Sequence, residues 1–215
     1  MSTPPDPVRP AVADLVEGVE EALQSMAPSW VRTGARAIHA DDELSLWPSE
    51  RAAIARAVTT RRVEFATGRA LLRRLIGDDV EIPVGPDRRP QLPVGISGTL
   101  AHDRDIAVAA TTTRGTCRAL GVDIEPATVL DEDLARAICR PEERHLDAHL
   151  VFVLKEAAYK AWSSLGGRML EHWDVAVTVD LPERTFTATI VEDVTAMTGR
   201  YAVVEDRYLA LVIVD

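Results

Sequence analysis

Hydrophobic positions along the chain follow two periods, and the switches between them lay out the elements. A helical pattern is expected from about Ala13 to Met26, followed by a strand near Val31 to Ala40. A long helix rich in Ala, Val and Leu is expected to start near Ser49 and end near Gly77. Pro83, Pro86, Pro90 and Pro93 then mark a loop that leads through Gly95-Ile96-Ser97-Gly98 to a strand at about Ile106 to Thr112. Leu120 to Pro126 alternates strictly between apolar and polar residues and closes on proline, which predicts a strand. A short helix around Asp131 to Cys139 and another from Pro141 come next. In the helix that follows, Val151, Leu154, Ala158, Ala161, Trp162 and Leu165 form an apolar stripe, and Gly166-Gly167 stops it. The tail carries three alternating runs, near Trp173 to Val179, Phe186 to Val191 and Tyr201 to Val214, with a turn at Glu205-Asp206-Arg207. The pattern as a whole predicts an α+β fold preceded by a disordered tail over residues 1–13, where apolar anchors are few.

Composition narrows the function. The chain has 215 residues, of which 47% are hydrophobic, enough to bury a normal core. No apolar run reaches transmembrane length and the first ten residues do not resemble a signal peptide, so a cytoplasmic protein with no membrane contact is expected. Cys117 and Cys139 have no metal spacing and read as reduced thiols. The net charge of −10 excludes a nucleic-acid binder, which needs a broad positive footprint. Yet the charge is uneven: between Arg51 and Arg74 seven arginines face one acid, Glu64. Such a surface suits a small polyanion. Arg51, Arg56, Arg73 and Arg74 read as a solvated helix face. His145 and His149 have helical metal spacing, but they lack a third ligand and sit amid Glu142, Glu143 and Asp147, so they too read as a wet face.

The strongest chemical signal is lysine usage. Of 24 Lys and Arg only two are lysines, and both fall in Lys155-Glu156-Ala157-Ala158-Tyr159-Lys160. Ammonium and guanidinium are not interchangeable, since an ammonium is a compact point charge. On the helix, Glu156 and Lys160 lie opposite the apolar stripe, while Lys155 lies at its margin with its head free to reach out. On the upstream strand, Asp123 and Glu125 share one face, roughly 6 to 7 Å apart. Oxygen ligands of this kind favour Mg²⁺ or Mn²⁺. If Glu156 joins them, the three acids require a divalent cation to offset their repulsion.

Taken together, these segments resemble a known family. Gly121-Val122-Asp123-Ile124-Glu125 followed by Phe152-x-x-Lys155-Glu156-Ala157-x-Tyr159-Lys160-Ala161-Trp162 is similar to the paired motifs of the 4′-phosphopantetheinyl transferases of the Sfp/EntD type. The R-x-x-x-F-x-x-G-R signature of that family is present as Arg61 to Arg69, and its G-(S/T)-x-x-H signature as Gly98 to His102. The resemblance spans roughly residues 45 to 179, with two departures: Pro90-Gln91-Leu92-Pro93 replaces P-x-W-P, and Arg89 stands where a lysine is common. It implies two similar lobes related by a pseudo-twofold, residues 14–112 and 113–215, with the ligand in a cleft between them. It also implies a monomeric enzyme of secondary metabolite biosynthesis that transfers phosphopantetheine from coenzyme A to a serine of an acyl or peptidyl carrier protein, releasing 3′,5′-ADP. Asp123, Glu125 and Glu156 would hold Mg²⁺ or Mn²⁺. Glu156 and Lys160 would be catalytic, and Arg61, Arg69, Arg89, His102, Lys155 and Lys160 would bind coenzyme A. Two other readings fit the same residues: a non-catalytic module that binds coenzyme A or a carrier protein, and a metal-dependent phosphohydrolase of coenzyme A.

Overall fold

The computed structural model describes residues 12–85 and 88–215. It is α+β, with two antiparallel sheets and five helices among the described residues. Residues 12 and 13 already belong to the first helix, and the rest of the expected tail, like Pro86, lies outside the described residues.

Helix α1 (Val12–Met26) buries Leu15, Val19, Leu23 and Met26, one stripe at helical spacing. Strand β1 (Arg32–Ala37) pairs with β3 (Ile106–Thr113), which also pairs with β2 (Ile96–His102), giving a three-stranded sheet in the order β1-β3-β2. Strand β2 was not expected from the sequence. Its Gly98 reads as a turn residue, yet a Cβ there would come within 3.0 Å of the Ala110 carbonyl oxygen and 2.9 Å of Leu92, so glycine lets β2 lie close against its neighbours.

The expected long helix is two. Helix α2 (Pro48–Ala53) ends at Ile54, and α3 (Thr59–Ile76) begins after Val58 and ends at Gly77 in the left-handed region. The reason is tertiary. Glu50 is fully buried and accepts from Arg73 at 2.8 Å, from the Ile82 amide at 2.8 Å and from the Trp47 amide at 2.9 Å. In one straight helix Glu50 and Arg73 would stand ~35 Å apart, so the break is what lets the pair form. It corrects the solvated reading of Arg73, which is buried. It also brings Ile54 against Phe65 and Ala66. Leu71, Leu72 and Leu75 of α3 then pack on Ala107 and Ala109 of β3.

The second sheet runs in the order β4-β8-β7-β6-β5, from β4 (Ala119–Pro126), β5 (Val175–Asp180), β6 (Thr185–Ile190), β7 (Ala196–Val204) and β8 (Arg207–Val214). The last expected run is therefore a hairpin, with Glu205 at φ 50° in its turn. Between the sheet's first strand and its second lie α4 (Glu132–Ile138), capped by Asp131, and α5 (Ala148–Ser164), capped by Asp147. Alternation on β4 sorts its side chains: Leu120, Val122 and Ile124 join the core around α1, whereas Ala119, Gly121 and Asp123 lie on the α5 side. At Gly121 the backbones nearly touch, since an added Cβ would stand 1.9 Å from the Ala157 carbonyl oxygen. That close crossing sets Asp123 beside α5. The two sheets also meet directly, through the Val122 amide and Thr99 Oγ1 at 3.2 Å.

Candidate active site

A cavity of about 580 Å³ opens where α3, β2, β4 and α5 meet. One wall is acidic. Asp123 and Glu125 reach it from β4, and Glu156 and Lys160 from α5. Lys160 Nζ bonds Asp123 Oδ1 at 2.7 Å and the Val122 carbonyl at 3.1 Å. The other carboxylate oxygen of Asp123 is buried without a hydrogen-bond partner among the described residues. Burial drives the Asp123 pKa upward, with Lys160 opposing and Glu156 adding to the rise. Glu125 is pushed up to about 7, first by burial and then by the charges of Asp123 and Asp103, with Lys160 again opposing. These shifts show that the acids feel one another across the cavity. They do not converge to ligand distance: among the described residues no group of three or more His, Cys, Asp or Glu side chains is gathered closely enough to hold a metal ion.

The opposite wall is cationic. Arg61 Nη1 donates to His102 Nε2 at 2.7 Å. Because a guanidinium only donates, that ring nitrogen accepts, which leaves the imidazole proton on Nδ1, 3.3 Å from the Asp103 carbonyl oxygen. Burial, followed by the nearby Arg61 and Lys160 charges against the pull of Glu64, lowers the His102 pKa and keeps the ring neutral. Arg69 is only 3% exposed. Its Nε donates to the Ile82 carbonyl at 2.7 Å and its guanidinium stacks 4.2 Å over Phe65. Burial brings its pKa down to about 10. No carboxylate forms an ion pair with it among the described residues, so its charge is left for whatever enters the cavity.

Two sequence expectations are corrected, and a third residue stands beside the cavity. Lys155 does not reach the cavity. It is 1% exposed and bonds Glu143 at 2.7 Å and the carbonyls of Ile138 and His172 at 2.9 Å each, because α4 and the turn after it cover the margin of the helix stripe. Arg89 lines an adjoining cavity of about 480 Å³ that shares Leu100 and Lys160 with the first, and it donates to the Ser163 carbonyl at 2.8 Å, which ties the loop before β2 to the end of α5. His149 and Glu143 are buried rather than wet. His149 Nδ1 meets the Thr128 carbonyl at 2.9 Å, and Glu143 accepts from Lys155, the Arg140 amide and the Val177 amide.

Two neighbours of the site escaped sequence reasoning. Arg207, buried at the start of β8, bonds Asp103 and Asp105 of the β2–β3 turn and so locks the two sheets together beside Glu125. His172 contacts Glu156. Neither sits in a motif, and both act on partners far along the chain.

A cavity with carboxylates on one side and guanidinium groups on the other suits a phosphate-bearing ligand. Comparison with known proteins gives the class. A family model described as the 4′-phosphopantetheinyl transferase N-terminal domain matches residues 49–112, and one described as the 4′-phosphopantetheinyl transferase superfamily matches residues 119–212. The chain is 33% identical over 197 residues to the 4′-phosphopantetheinyl transferase Svp of Streptomyces mobaraensis, covering 83% of this chain and 80% of that one. It is 30% identical over 175 residues to Npt of Nocardia iowensis, covering 75% and 78%. To PptT of Mycobacterium tuberculosis it is 33% identical over 160 residues, covering 67% and 70%. The chain belongs to the 4′-phosphopantetheinyl transferase superfamily. It is an enzyme that moves the phosphopantetheine group of coenzyme A onto carrier proteins.

Proposed function

We propose that transfer takes place in the cavity between α3 and α5, onto a serine hydroxyl of an acyl or peptidyl carrier protein, with 3′,5′-ADP released. The observation that carries this is the buried, unpartnered Asp123 Oδ2 facing, across one cavity, an Arg69 without an acid partner. Lobes of 14–112 and 113–215 are supported by the division of the strands into two sheets, with α3 packed on the first, α5 on the second and α1 seated against both.

The acid wall fits a hard divalent ion in its chemistry: three carboxylates, no sulfur, and one oxygen lacking any other partner. Asp123, Glu125 and Glu156 would hold it. When bound, Mg²⁺ supplies charge neutralisation for the pyrophosphate of coenzyme A. Arg61, His102 and Arg69 bind the nucleotide end and its phosphates. Lys160, already at the acid wall, places its ammonium against the pyrophosphate oxygens as charge grows on them. Glu156 takes the proton of the carrier serine. The serine oxygen then forms its bond to the β-phosphorus as the bond to the leaving 3′,5′-ADP breaks, which needs positioning more than covalent help from the enzyme. The proposal extends to a cytoplasmic monomer, in keeping with a net charge of −10, which opposes self-association. No described helix is long and apolar enough to cross a membrane.

The test is intact-mass analysis of an apo carrier protein incubated with the enzyme, coenzyme A and Mg²⁺. A gain of one phosphopantetheine that is lost in EDTA is expected. Coenzyme A cleaved without any carrier would instead mark a phosphohydrolase, and transfer undiminished in EDTA would remove the cation from the account.

A further inference from the structure

The mechanism above assigns no role to the contact between Glu156 and His172. His172 opens the 3-10 turn His172–Asp174 that follows α5, and its Nε2 lies 3.2 Å from Oε1 of Glu156. That nitrogen is closed off from solvent, yet no hydrogen bond of good geometry reaches it among the described residues. A buried polar group left unpaired is destabilising. The Glu156 carboxylate, at 3.2 Å, is an acceptor within reach.

Two further contacts fix the ring. Phe152, one turn before Glu156 on α5, packs against it with centroids 5.3 Å apart and planes at 39°. The backbone carbonyl of His172 accepts from Lys155 Nζ at 2.9 Å, and that ammonium is itself held by buried Glu143 at 2.7 Å. An unbroken run of contacts therefore leads from Glu143 through Lys155 and His172 to Glu156. The run opposes a specific force: Glu156 shares the cavity with Asp123 and Glu125, and its charge raises the pKa of both, so like-charge repulsion works to push its carboxylate out of the site.

We infer that His172 is a positioning residue for Glu156. It donates from Nε2 to Oε1, holds the carboxylate against the repulsion of the other two acids, and leaves Oε2 for the cavity; Lys155 sets the backbone from which the ring projects. This inference rests on the reading of Glu156 as a cation-holding and proton-accepting group. Groups that orient a metal ligand from behind are typically worth 10- to 100-fold in metal affinity.

The test compares the full-length protein with His172→Phe and His172→Gln. Phenylalanine keeps an aromatic ring on Phe152 and the carbonyl that Lys155 grips but removes the donor, whereas glutamine restores an N–H. Mn²⁺ binding is titrated by electron paramagnetic resonance without coenzyme A or carrier, beside transfer kinetics and thermal unfolding. For the Phe variant the Mn²⁺ Kd is expected to rise about 10-fold or more and kcat to fall by a similar factor. KM for coenzyme A and the Tm stay at parental values. The Gln variant is expected to recover most of both losses. Parental Mn²⁺ affinity and kcat in the Phe variant would overturn the inference, as would equal losses in both variants, which mark packing alone. Should the Phe variant not fold, His172→Leu takes its place in the same comparison. A parent protein that binds no Mn²⁺ overturns the metal reading, and this inference with it. Parental binding beside unaffected variants overturns this inference only.

Discussion

Lys155 and Lys160 lie five residues apart on one helix, about 140° around its axis from one another, and that rotation separates two kinds of site. Lys155 points beneath α4, where an ammonium meets a fully buried carboxylate and two carbonyls. Lys160 stands at the rim of the cavity, 28% exposed in its side chain, with Asp123 on one side and open space on the other. Every donor position of the first is committed to the fold. The second keeps capacity for an incoming phosphate. A segment that places two lysines around one glutamate thus divides them between the interior of the fold and the cavity.

Loss of the inner lysine is expected to have the largest effect. Lys155→Met leaves the buried charge of Glu143 without its counter-ion, which costs about 3 to 5 kcal/mol and lowers Tm by roughly 10 °C at this chain length. Lys155→Arg is expected to rescue poorly, because a planar fork does not match three acceptors arranged around a point. Thermal unfolding checks both, and a Tm close to the parent's would break the contrast. Lys160→Met is expected to lower kcat about 10²-fold, the scale of a lost electrostatic stabiliser, with little change in KM for coenzyme A and a smaller fall in Tm than Lys155→Met, because Asp123 loses a partner that is itself partly exposed. A raised KM at unchanged kcat would recast Lys160 as a ground-state contact.

The cationic wall sharpens the contrast further. Arg61→Ala is expected to raise KM for coenzyme A about tenfold, the worth of one charge-assisted contact, and to make binding less sensitive to salt. Steady-state kinetics at two ionic strengths read this out. The smallest effect concerns Glu125 in the metal-free protein. Its carboxyl sits at about 7 against a usual 4.5, so the folded state binds a proton more tightly than the unfolded chain does. The stability linked to that proton is complete below about pH 4.5 and is lost as pH rises through 7. Glu125→Gln is therefore expected to raise Tm at pH 8 and to leave it unchanged near pH 4.5. A Tm gain independent of pH would contradict the shift.

The two elements whose acids line the cavity were legible in the sequence because their signals are local. Strict alternation on β4 put Asp123 and Glu125 on one face, and the stripe of α5 left Glu156 and Lys160 on the other side of the helix. What could not be read depends on partners far along the chain. A charged residue in a helical pattern looks solvated until its counter-ion is known, and Arg73, Glu143 and Lys155 each find theirs only through tertiary packing. The break between α2 and α3 follows from the first of those pairs rather than from any helix-stopping residue. Strand β2 was hidden by Gly98, whose missing side chain serves a close approach instead of a turn. Even the angle that put Lys155 at the margin of the stripe was sound; it lacked only the knowledge that α4 would cover that margin.

The division between the two lysines is tested most directly by measuring thermal unfolding and single-turnover transfer to an apo carrier protein, at saturating coenzyme A and Mg²⁺, on Lys155→Met and Lys160→Met side by side. The account predicts the larger fall in Tm for the first, and for the second a smaller fall in Tm with transfer slowed about 10²-fold. Transfer at the parental rate by folded Lys160→Met, or a parental Tm for Lys155→Met, would contradict it.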